Sequence, residues 1–162
     1  MALSIIRADY GNPVHAGAVR SLLDAYARDP MGGGEALPAE TLDALVPALA
    51  NLPTAFSMLA YIDGVAIGLA NCFFGFSTFA AKPLVNIHDM VVIPGHRGHG
   101  IARAFFAEIE KIATDAGACK ITLEVLSGNE RAKSIYTSLG YGDYALDPEK
   151  GVALFWQKRL AA

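Results

Sequence analysis

The sequence predicts a mixed α/β fold in a single domain over residues 1–162, and three observations support it. Runs rich in β-branched and aromatic residues alternate with segments whose apolar residues recur every three or four positions. No internal repeat or linker-like stretch interrupts this order. A chain of this length also suits one domain with a substantial core.

Seven strands are predicted, at residues 3–7, 56–62, 65–74, 87–93, 120–126, 141–146 and 152–158. Each is a run of apolar residues with high strand propensity, bounded mostly by glycine, proline, asparagine or aspartate. Asp63-Gly64 separates the second and third strands, and this dipeptide is typical of a two-residue hairpin turn.

Four helices are predicted, beginning at Pro13, near Pro38, within residues 97–102 and after Asn129. Asn12 is an N-cap residue, and Pro13 suits the first helical position because its missing N–H is not needed there. Pro47 lies within the second helix and is expected to kink or shorten it. The third helix has the clearest apolar stripe, formed by Ile101, Phe105, Ile109, Ile112 and Ala116.

A glycine-rich turn at residues 94–100 links the fourth strand to the third helix. The first N–H groups of a helix have no partner within it, and a glycine has no Cβ to keep a phosphate away. Gly98 and Gly100 lie at this point, and Arg97 and Arg103 add positive charge. The turn therefore predicts an anion site.

Two common phosphate-binding motifs do not fit this turn. A Walker loop ends in Gly-Lys-Ser/Thr, whereas this turn ends in Gly100-Ile101-Ala102. A dinucleotide fingerprint reads G-x-G-x-x-G after the first strand of its unit, but here Arg103 occupies the third glycine position in the middle of the chain.

Residues 97–102 read Arg-Gly-His-Gly-Ile-Ala, which resembles the acetyl-CoA signature Arg/Gln-x-x-Gly-x-Gly/Ala of the GNAT superfamily of N-acetyltransferases. A second motif of that superfamily is matched by Asn129, Ala132 and Tyr136, followed by Leu-Gly-Tyr at residues 139–141. Two separate motifs in the right order are much less probable by chance than either alone.

The resemblance implies a central mixed, mostly antiparallel sheet of about seven strands, flanked by about four helices. Its fourth and fifth strands splay apart, and the pantetheine arm of acetyl-CoA lies in the gap. By position, the implied cofactor-binding residues are Met90, Val91, Val92, Arg97, Gly98, His99, Gly100, Ile101, Ala102, Arg103, Asn129 and Lys133.

Attack of an amine on a thioester needs a base for the ammonium proton and an acid for the leaving thiolate. Tyr136 matches the family tyrosine and is the candidate acid; the alternative is a core aromatic residue. Three residues remain open as the base. Glu124 lies inside an otherwise apolar predicted strand, where an unpaired carboxylate is costly. His88 and Asp89 precede the pantetheine segment, and strand alternation points them to opposite faces. For each base candidate, a paired structural group is the alternative.

The resemblance implies direct transfer of the acetyl group from acetyl-CoA to a primary amine. A small polyamine or another small-molecule amine is the first choice of acceptor, and a protein N-terminus or lysine is the alternative. A non-catalytic acyl-CoA sensor is a further possibility, because fold alone does not establish activity. Binding of a different nucleotide at the turn is the third alternative.

Composition limits the partners. The formal net charge of -3 gives no reason to expect nucleic acid, and the apolar stretches are too short or too interrupted to span a membrane. With no recognisable leader, a cytoplasmic protein is expected. The apolar residues 153–156 suggest a homodimer, since many GNAT proteins pair through their C-terminal strands.

The remaining candidate residues are interpreted as structural. His96 and His99 invite a metal site, but catalytic zinc needs about three convergent ligands, so no metal is expected. Cys72 and Cys119 are expected to be buried free thiols because neither forms a CxxC pair. An aromatic cluster either lines the acceptor pocket or packs the end of a hairpin, and it consists of Phe73, Phe74, Phe76 and Phe79.

Overall fold

A computed structural model describes residues 2–160 of the protein, which form two compact units. The first unit ends at Leu126 and the second begins at Ser127. The strands, all in the first unit, are β1 (Leu3–Arg7), β2 (Ala55–Ile62), β3 (Val65–Ser77), β4 (Lys82–Val92) and β5 (Ile121–Leu123). The helices are α1 (Pro13–Arg28), α2 (Ala39–Ala50) and α3 (Ile101–Asp115) in the first unit and α4 (Glu130–Ser138) in the second. The four expected helices are therefore confirmed.

The sheet is mixed and mostly antiparallel, as expected. Its strands lie in the order β1-β2-β3-β4-β5, and only the last pair is parallel. Ile62 pairs with Val65, and Asp63 and Gly64 between them both have positive φ, at 50° and 82°. These are the dihedrals of a type I′ hairpin, so the tight turn is confirmed.

Helices cover both faces of the sheet. Leu69 of β3 belongs to a buried cluster that includes Val19 and Leu22 of α1 and Val46 of α2. Successive strand residues face opposite sides, so Gly68 faces away from this cluster. A Cβ added at Gly68 would lie 2.9 Å from Phe105 Cε2, which places α3 closely against the other face.

β4 and β5 separate after a short parallel ladder. Only residues 85–87 of β4 pair with residues 121–123 of β5, and β4 then continues to Val92. From His88 onwards, the edge of β4 that faces β5 has no strand partner among residues 2–160. The expected splay between the fourth and fifth strands is therefore present.

Two predicted strands are absent, and the expected count of seven is wrong. Residues 141–146 and 152–158 form no strand, and no strand follows Leu123 in the described part of the chain. A segment with high strand propensity forms a strand only when it pairs with a neighbouring ladder, and these stretches form none, although a backbone bond joins them from Ala153 N to Tyr144 O. The apolar side chains there are exposed, with Phe155 at 76% and Trp156 at 84%.

Other boundaries also differ from the sequence prediction. β3 and β4 extend further towards the hairpin that joins them, and β5 covers only the first part of residues 120–126. α2 continues through Pro47, which removes a single intrahelical donor. No helix within residues 2–160 is both long and apolar enough to cross a membrane.

Candidate active site

The glycine-rich turn leads directly into the N-terminus of α3. Gly100 is the N-cap in the left-handed conformation, with φ 78°, and no side chain of the described residues caps this end. The intrahelical ladder begins when Ala104 N donates to Gly100 O at 3.0 Å. The N–H groups of residues 101–103 therefore lie ahead of the ladder, as an anion site requires.

The backbone of the turn requires glycine. Gly95, Gly98 and Gly100 all have positive φ, which strains other L-residues. A Cβ added at Gly100 would meet no atom within 4 Å, so the space in front of α3 is open to a ligand. His99 is exposed beside it, and Arg103 lies exposed in the first turn of the helix.

Arg97 is held by protein groups on two sides. Its Nε donates to Val92 O at 2.7 Å, and its Nη2 donates to Asp29 Oδ2 at 2.7 Å. The Arg97 hydrogen bond, assisted by one from the backbone N–H of Met31, holds the pKa of Asp29 below its ordinary value. The guanidinium thus fixes the shape of the turn, and direct contact between Arg97 and a pyrophosphate stays a prediction.

The expected pantetheine segment lies on the unpaired edge of β4. The Val91 side chain is buried in the core cluster under α1, whereas Met90 and Val92 are half-buried. A ligand along this edge would therefore contact the backbone of Val91 and not its side chain. Recognition through backbone groups tolerates many side chains, which explains why this segment reads as ordinary core sequence.

A β-bulge places His88 and Asp89 on the same face, so the expectation of opposite faces is wrong. Asn71 of β3 pairs with Asp89, but the next residue, Cys72, pairs with Ile87. His88 is the extra residue between these pairs, and an extra residue in one strand interrupts the alternation of side chains.

Ring and hydrogen-bond contacts agree with this placement. The Phe73 side chain packs against the core cluster under α1, and its ring lies edge-on to His88 with centroids 5.5 Å apart. Asn71 lies two residues before Phe73 and so faces the same side, where its Nδ2 donates to Asp89 Oδ2 at 3.0 Å.

The surroundings of Asp89 are aromatic and partly dry. Burial raises the pKa of the Tyr26 hydroxyl in α1, and the charges of Asp89 and Asp29 raise it further. The half-buried Asp89 carboxylate therefore lies on the face covered by α1, near enough to Tyr26 for its charge to act on that hydroxyl, and next in sequence to His88, whose ring contacts Phe73. Such a site favours a cation, because a partly desolvated carboxylate attracts positive charge.

Sequence reasoning missed a chain of polar side chains that ends at Asp89. Tyr10 Oη and Ser57 Oγ lie 2.8 Å apart, and Ser57 Oγ donates to Asn71 Oδ1 at 2.6 Å. Ser57 and Asn71 are buried, and each is a polar residue with apolar neighbours on both sides within β2 or β3. That isolation is the one signal in the sequence that could have indicated them.

Glu124 does not lie inside a buried strand as expected. β5 ends at Leu123, and Glu124 is exposed one residue beyond it. The parallel ladder ends at the pair of Ile87 and Leu123, directly before the bulge at His88. The Glu124 carboxylate is therefore in contact with solvent and carries no burial cost that a partner must offset.

The second unit contains the other motif. Asn129 caps α4, as expected, by accepting from Ala132 N at 3.2 Å. Lys133 Nζ donates to Ser127 O at 3.1 Å and to Glu130 Oε1 at 2.9 Å, so it supports the start of the same helix. Tyr136 is half-buried in α4, with its ring centroid 6.4 Å from that of Tyr141.

The two cysteines differ. Cys72 is buried, and burial together with the charge of Asp89 raises the pKa of its thiol to about 12, so it stays protonated. Cys119 is exposed, because it lies in the loop before β5, and the expectation that both are buried is wrong. Within residues 2–160, no group of three or more His, Cys, Asp or Glu side chains could hold a metal.

A strand that extends beyond its parallel neighbour and is followed by a glycine turn and an uncapped helix start is an arrangement typical of α/β domains that bind a phosphate-bearing cofactor. The sequence profile of the Acetyltransferase (GNAT) family matches residues 19–141. The chain therefore belongs to that family.

Named relatives share part of the chain. Thialysine N-epsilon-acetyltransferase of Bos taurus is 31% identical over 77 residues, which are 48% of this chain and 45% of that protein. Aminoglycoside N(6')-acetyltransferase type 1 of Salmonella typhimurium is 24% identical over 64% of this chain and 69% of its own. The chain spans about half the length of the thialysine enzymes that it matches.

A solved structure shares the fold over nearly the whole length of this chain. The aminoglycoside acetyltransferase AAC(6')-Iy, in complex with a CoA-S-monomethyl-acetylneamine bisubstrate analogue, superposes with a TM-score of 0.77. The match covers 99% of this chain and 100% of that one at 20% identity. At this identity the likeness establishes the fold alone.

Proposed function

We propose that this protein is an acetyl-CoA-dependent N-acetyltransferase that transfers the acetyl group directly to a primary amine of a small cationic molecule. The observation that carries the proposal is the half-buried Asp89 carboxylate, which lies near Tyr26 and beside the unpaired edge of β4. Family membership supports the reaction, and the site supports the charge of the acceptor.

Four features of the first unit support acetyl-CoA as the cofactor. The open space at Gly100 and the uncapped N–H groups of α3 suit a pyrophosphate, with Arg103 adding charge. The edge of β4 over residues 90–92 suits an amide-containing arm, because unpaired backbone groups can bond to it. When bound, acetyl-CoA supplies the thioester that a neutral amine attacks, and the CoA thiol is released.

Asp89 is the group in this site best suited to handle the amine. Its carboxylate attracts the ammonium form and can accept the proton that must leave before the nitrogen is nucleophilic. His88, which the bulge brings to the same face, can pass that proton to solvent because it is exposed. Tyr136 remains the proposed acid for the thiolate, and Glu124 the weaker candidate base.

The buried Cys72 supports direct transfer. An acyl-enzyme on Cys72 would need its thiolate, and a thiol that stays protonated near neutral pH is a poor nucleophile.

The acceptor is proposed to be a small amine with more than one positive charge, such as a polyamine. The net charge of -3 and the Asp89 site favour a cation. Relatives are named for thialysine and aminoglycosides, which are amines too. A protein N-terminus or lysine is the second candidate, and a sensor without turnover the third.

The test combines ligand binding with turnover. Thermal melts with acetyl-CoA, CoA, ATP and NAD should show a shift with the CoA compounds alone. A ligand at a hundred times its Kd stabilises by about 2.7 kcal/mol, which is roughly 5–10 °C for a chain of this size. Release of free CoA thiol with spermidine, thialysine or neamine should then identify an acceptor.

Variants separate the candidate bases. Asp89→Asn should lower kcat/KM for the acceptor at least about a hundredfold while leaving CoA affinity unchanged, and Glu124→Gln should have less than a tenth of that effect. CoA binding without turnover of any amine would instead support the sensor. A melt that responds only to ATP or NAD would overturn the cofactor assignment.

We also propose a cytoplasmic homodimer. The exposed apolar side chains of Leu154, Phe155 and Trp156 in the second unit support association of two copies. Light scattering after size exclusion should give twice the chain mass, and a monomer at micromolar concentration would contradict it.

A further inference from the structure

A row of polar side chains crosses three strands on the face of the sheet that α1 covers. It runs from Tyr10, in the loop after β1, through Ser57 of β2 and Asn71 of β3 to Asp89 of β4. Ser57 is fully buried and Asn71 is 3% exposed, so neither reaches solvent. Buried polar groups are unfavourable unless they are bonded, and here each one is.

The direction of every hydrogen bond in this row follows from its last member. A carboxylate only accepts, so the Asn71 amide must turn its Nδ2 towards Asp89 and its Oδ1 towards Ser57. Ser57 has one hydroxyl hydrogen and gives it to Asn71, so Tyr10 must donate to Ser57. Burial raises the pKa of Tyr10, which keeps its hydroxyl protonated for that role.

We infer that Tyr10, Ser57 and Asn71 are positioning residues that hold the Asp89 carboxylate in one orientation for the acceptor amine, an inference that rests on the function proposed above. Asn71 occupies Oδ2 of Asp89 and leaves Oδ1 for the substrate. A proton on Oδ2 would face the Asn71 amide hydrogens, so the proton from the ammonium group goes to Oδ1.

The bulge makes this support important. His88 interrupts the alternation of β4 immediately before Asp89, so the ladder is regular only on the Met90 side of Asp89. The ladder sets the face on which Asp89 lies, whereas the bond from Asn71 orients the carboxylate itself, and Ser57 and Tyr10 in turn fix the Asn71 amide. A carboxylate that turns away would still attract a cation, but it would meet the amine in the wrong geometry.

Loss of the chain should therefore lower kcat more than it raises KM. Ser57→Ala and Tyr10→Phe should each reduce kcat, by about tenfold and about threefold, with KM for the acceptor within twofold of the wild type. Tyr61→Phe is the matched control. Tyr61 is also a partly buried tyrosine on the same core cluster, but its hydroxyl has no hydrogen-bond partner among the described residues.

Asn71→Asp gives a readout that a purely structural role would not change. Two carboxylates within hydrogen-bond distance share a proton, so the acid limb of the kcat/KM profile should move up by about one pH unit or more. Tyr26 of α1, Cys72 of β3 and the neighbouring His88 are the other titratable groups near Asp89. All three are retained in this variant.

The experiment is a set of pH profiles of kcat and kcat/KM with the best acceptor among spermidine, thialysine and neamine, for wild type and the five variants Tyr10→Phe, Ser57→Ala, Asn71→Asp, Tyr61→Phe and Asp89→Asn. Titration with CoA confirms that each variant retains its cofactor site. If Asn71→Asp does not fold, the kcat values of Ser57→Ala and Tyr10→Phe relative to Tyr61→Phe decide whether the positioning role holds.

The outcomes distinguish a failure of the positioning role from a failure of the proposed function. A loss of activity in Asp89→Asn, with Ser57→Ala and Tyr10→Phe matching Tyr61→Phe and the Asn71→Asp profile unmoved, would overturn the positioning chain and leave the proposed function intact. Full activity in Asp89→Asn would overturn the role of Asp89 in the proposed function itself.

Discussion

The Arg97 guanidinium donates to the Asp29 carboxylate at 2.7 Å and so ties the glycine-rich turn after β4 to the loop after α1. Asp29 also accepts from Met31 N at 2.9 Å, which starts the 3-10 turn Pro30–Gly32. Arg97 in addition bonds to Val92 O at the end of β4. One ion pair therefore connects the proposed phosphate site with the loop after α1. That loop begins just after Tyr26, the α1 residue near Asp89.

The first prediction concerns the pH dependence of this pair. Asp29→Asn keeps the cap on Met31 N but loses the charge, so it should lower the free energy of unfolding by about 1 kcal/mol at pH 7. The pKa of Asp29 is lowered in the folded state, so its contribution is present above the ordinary value near 3.8 and is lost as the pH falls through the folded value.

Urea unfolding of wild type and Asp29→Asn between pH 7 and pH 2 measures this effect. The difference between the two proteins should be constant down to about pH 5 and should shrink below pH 4. A difference that does not change with pH would mean that Asp29 acts through its cap alone.

The second prediction isolates the ligand space at Gly100. Gly100 and Gly117 flank α3 at opposite ends, both have positive φ, and a Cβ at either would meet no protein atom within 4 Å. An alanine at either position should therefore cost about 1 kcal/mol of stability from backbone strain alone.

Only Gly100→Ala should impair cofactor binding, since its Cβ projects at the proposed phosphate site. We expect its Kd for CoA by calorimetry to rise more than about tenfold, with Gly117→Ala close to wild type after correction for stability. Equal affinities in the two variants would place the pyrophosphate elsewhere.

The third prediction tests the packing of the sheet against α3. A Cβ at Gly68 would lie 2.9 Å from Phe105 Cε2 and 3.1 Å from Val91 O, so Gly68→Ala should destabilise the fold by about 1–3 kcal/mol. Gly17 lies exposed within α1 with nothing within 4 Å of an added Cβ, so Gly17→Ala should stabilise by about 0.5–1 kcal/mol. Thermal melts should shift in opposite directions, and a neutral Gly68→Ala would show that α3 moves aside easily.

Local features could be predicted from the sequence, and those that depend on distant partners could not. Three local features each need a particular residue type in a particular backbone conformation, so residue type alone predicts them. They are the turn before α3, the hairpin at Asp63-Gly64 and the Asn129 cap. The bulge at His88 depends on how β4 meets β3, and no residue type encodes it. Residues 141–146 and 152–158 have the composition of strands, but a strand forms only where a neighbouring strand pairs with it, and the sequence does not show whether one does.

The polar chain illustrates the same limit within the site. Asp89 could be identified as a candidate because it is charged, but its supports Asn71 and Ser57 lie 18 and 32 positions before it, on other strands. Each is a neutral residue in an apolar run, and only the register of the sheet brings them together. A lone polar residue in a predicted core strand is therefore a better guide to such chains than any motif.

The last prediction concerns Tyr136. If its hydroxyl donates to the leaving thiolate, Tyr136→Phe should lower kcat by about a hundredfold or more and leave the Kd for CoA unchanged, because a general acid acts in the transition state and not in cofactor binding. Tyr141→Phe is the control, since its ring lies 6.4 Å from that of Tyr136 and the same change removes a hydroxyl from the same unit. Steady-state kinetics with excess acceptor would measure both, and a kcat for Tyr136→Phe equal to that for Tyr141→Phe would make Tyr136 a packing residue of α4, leaving water as the proton donor.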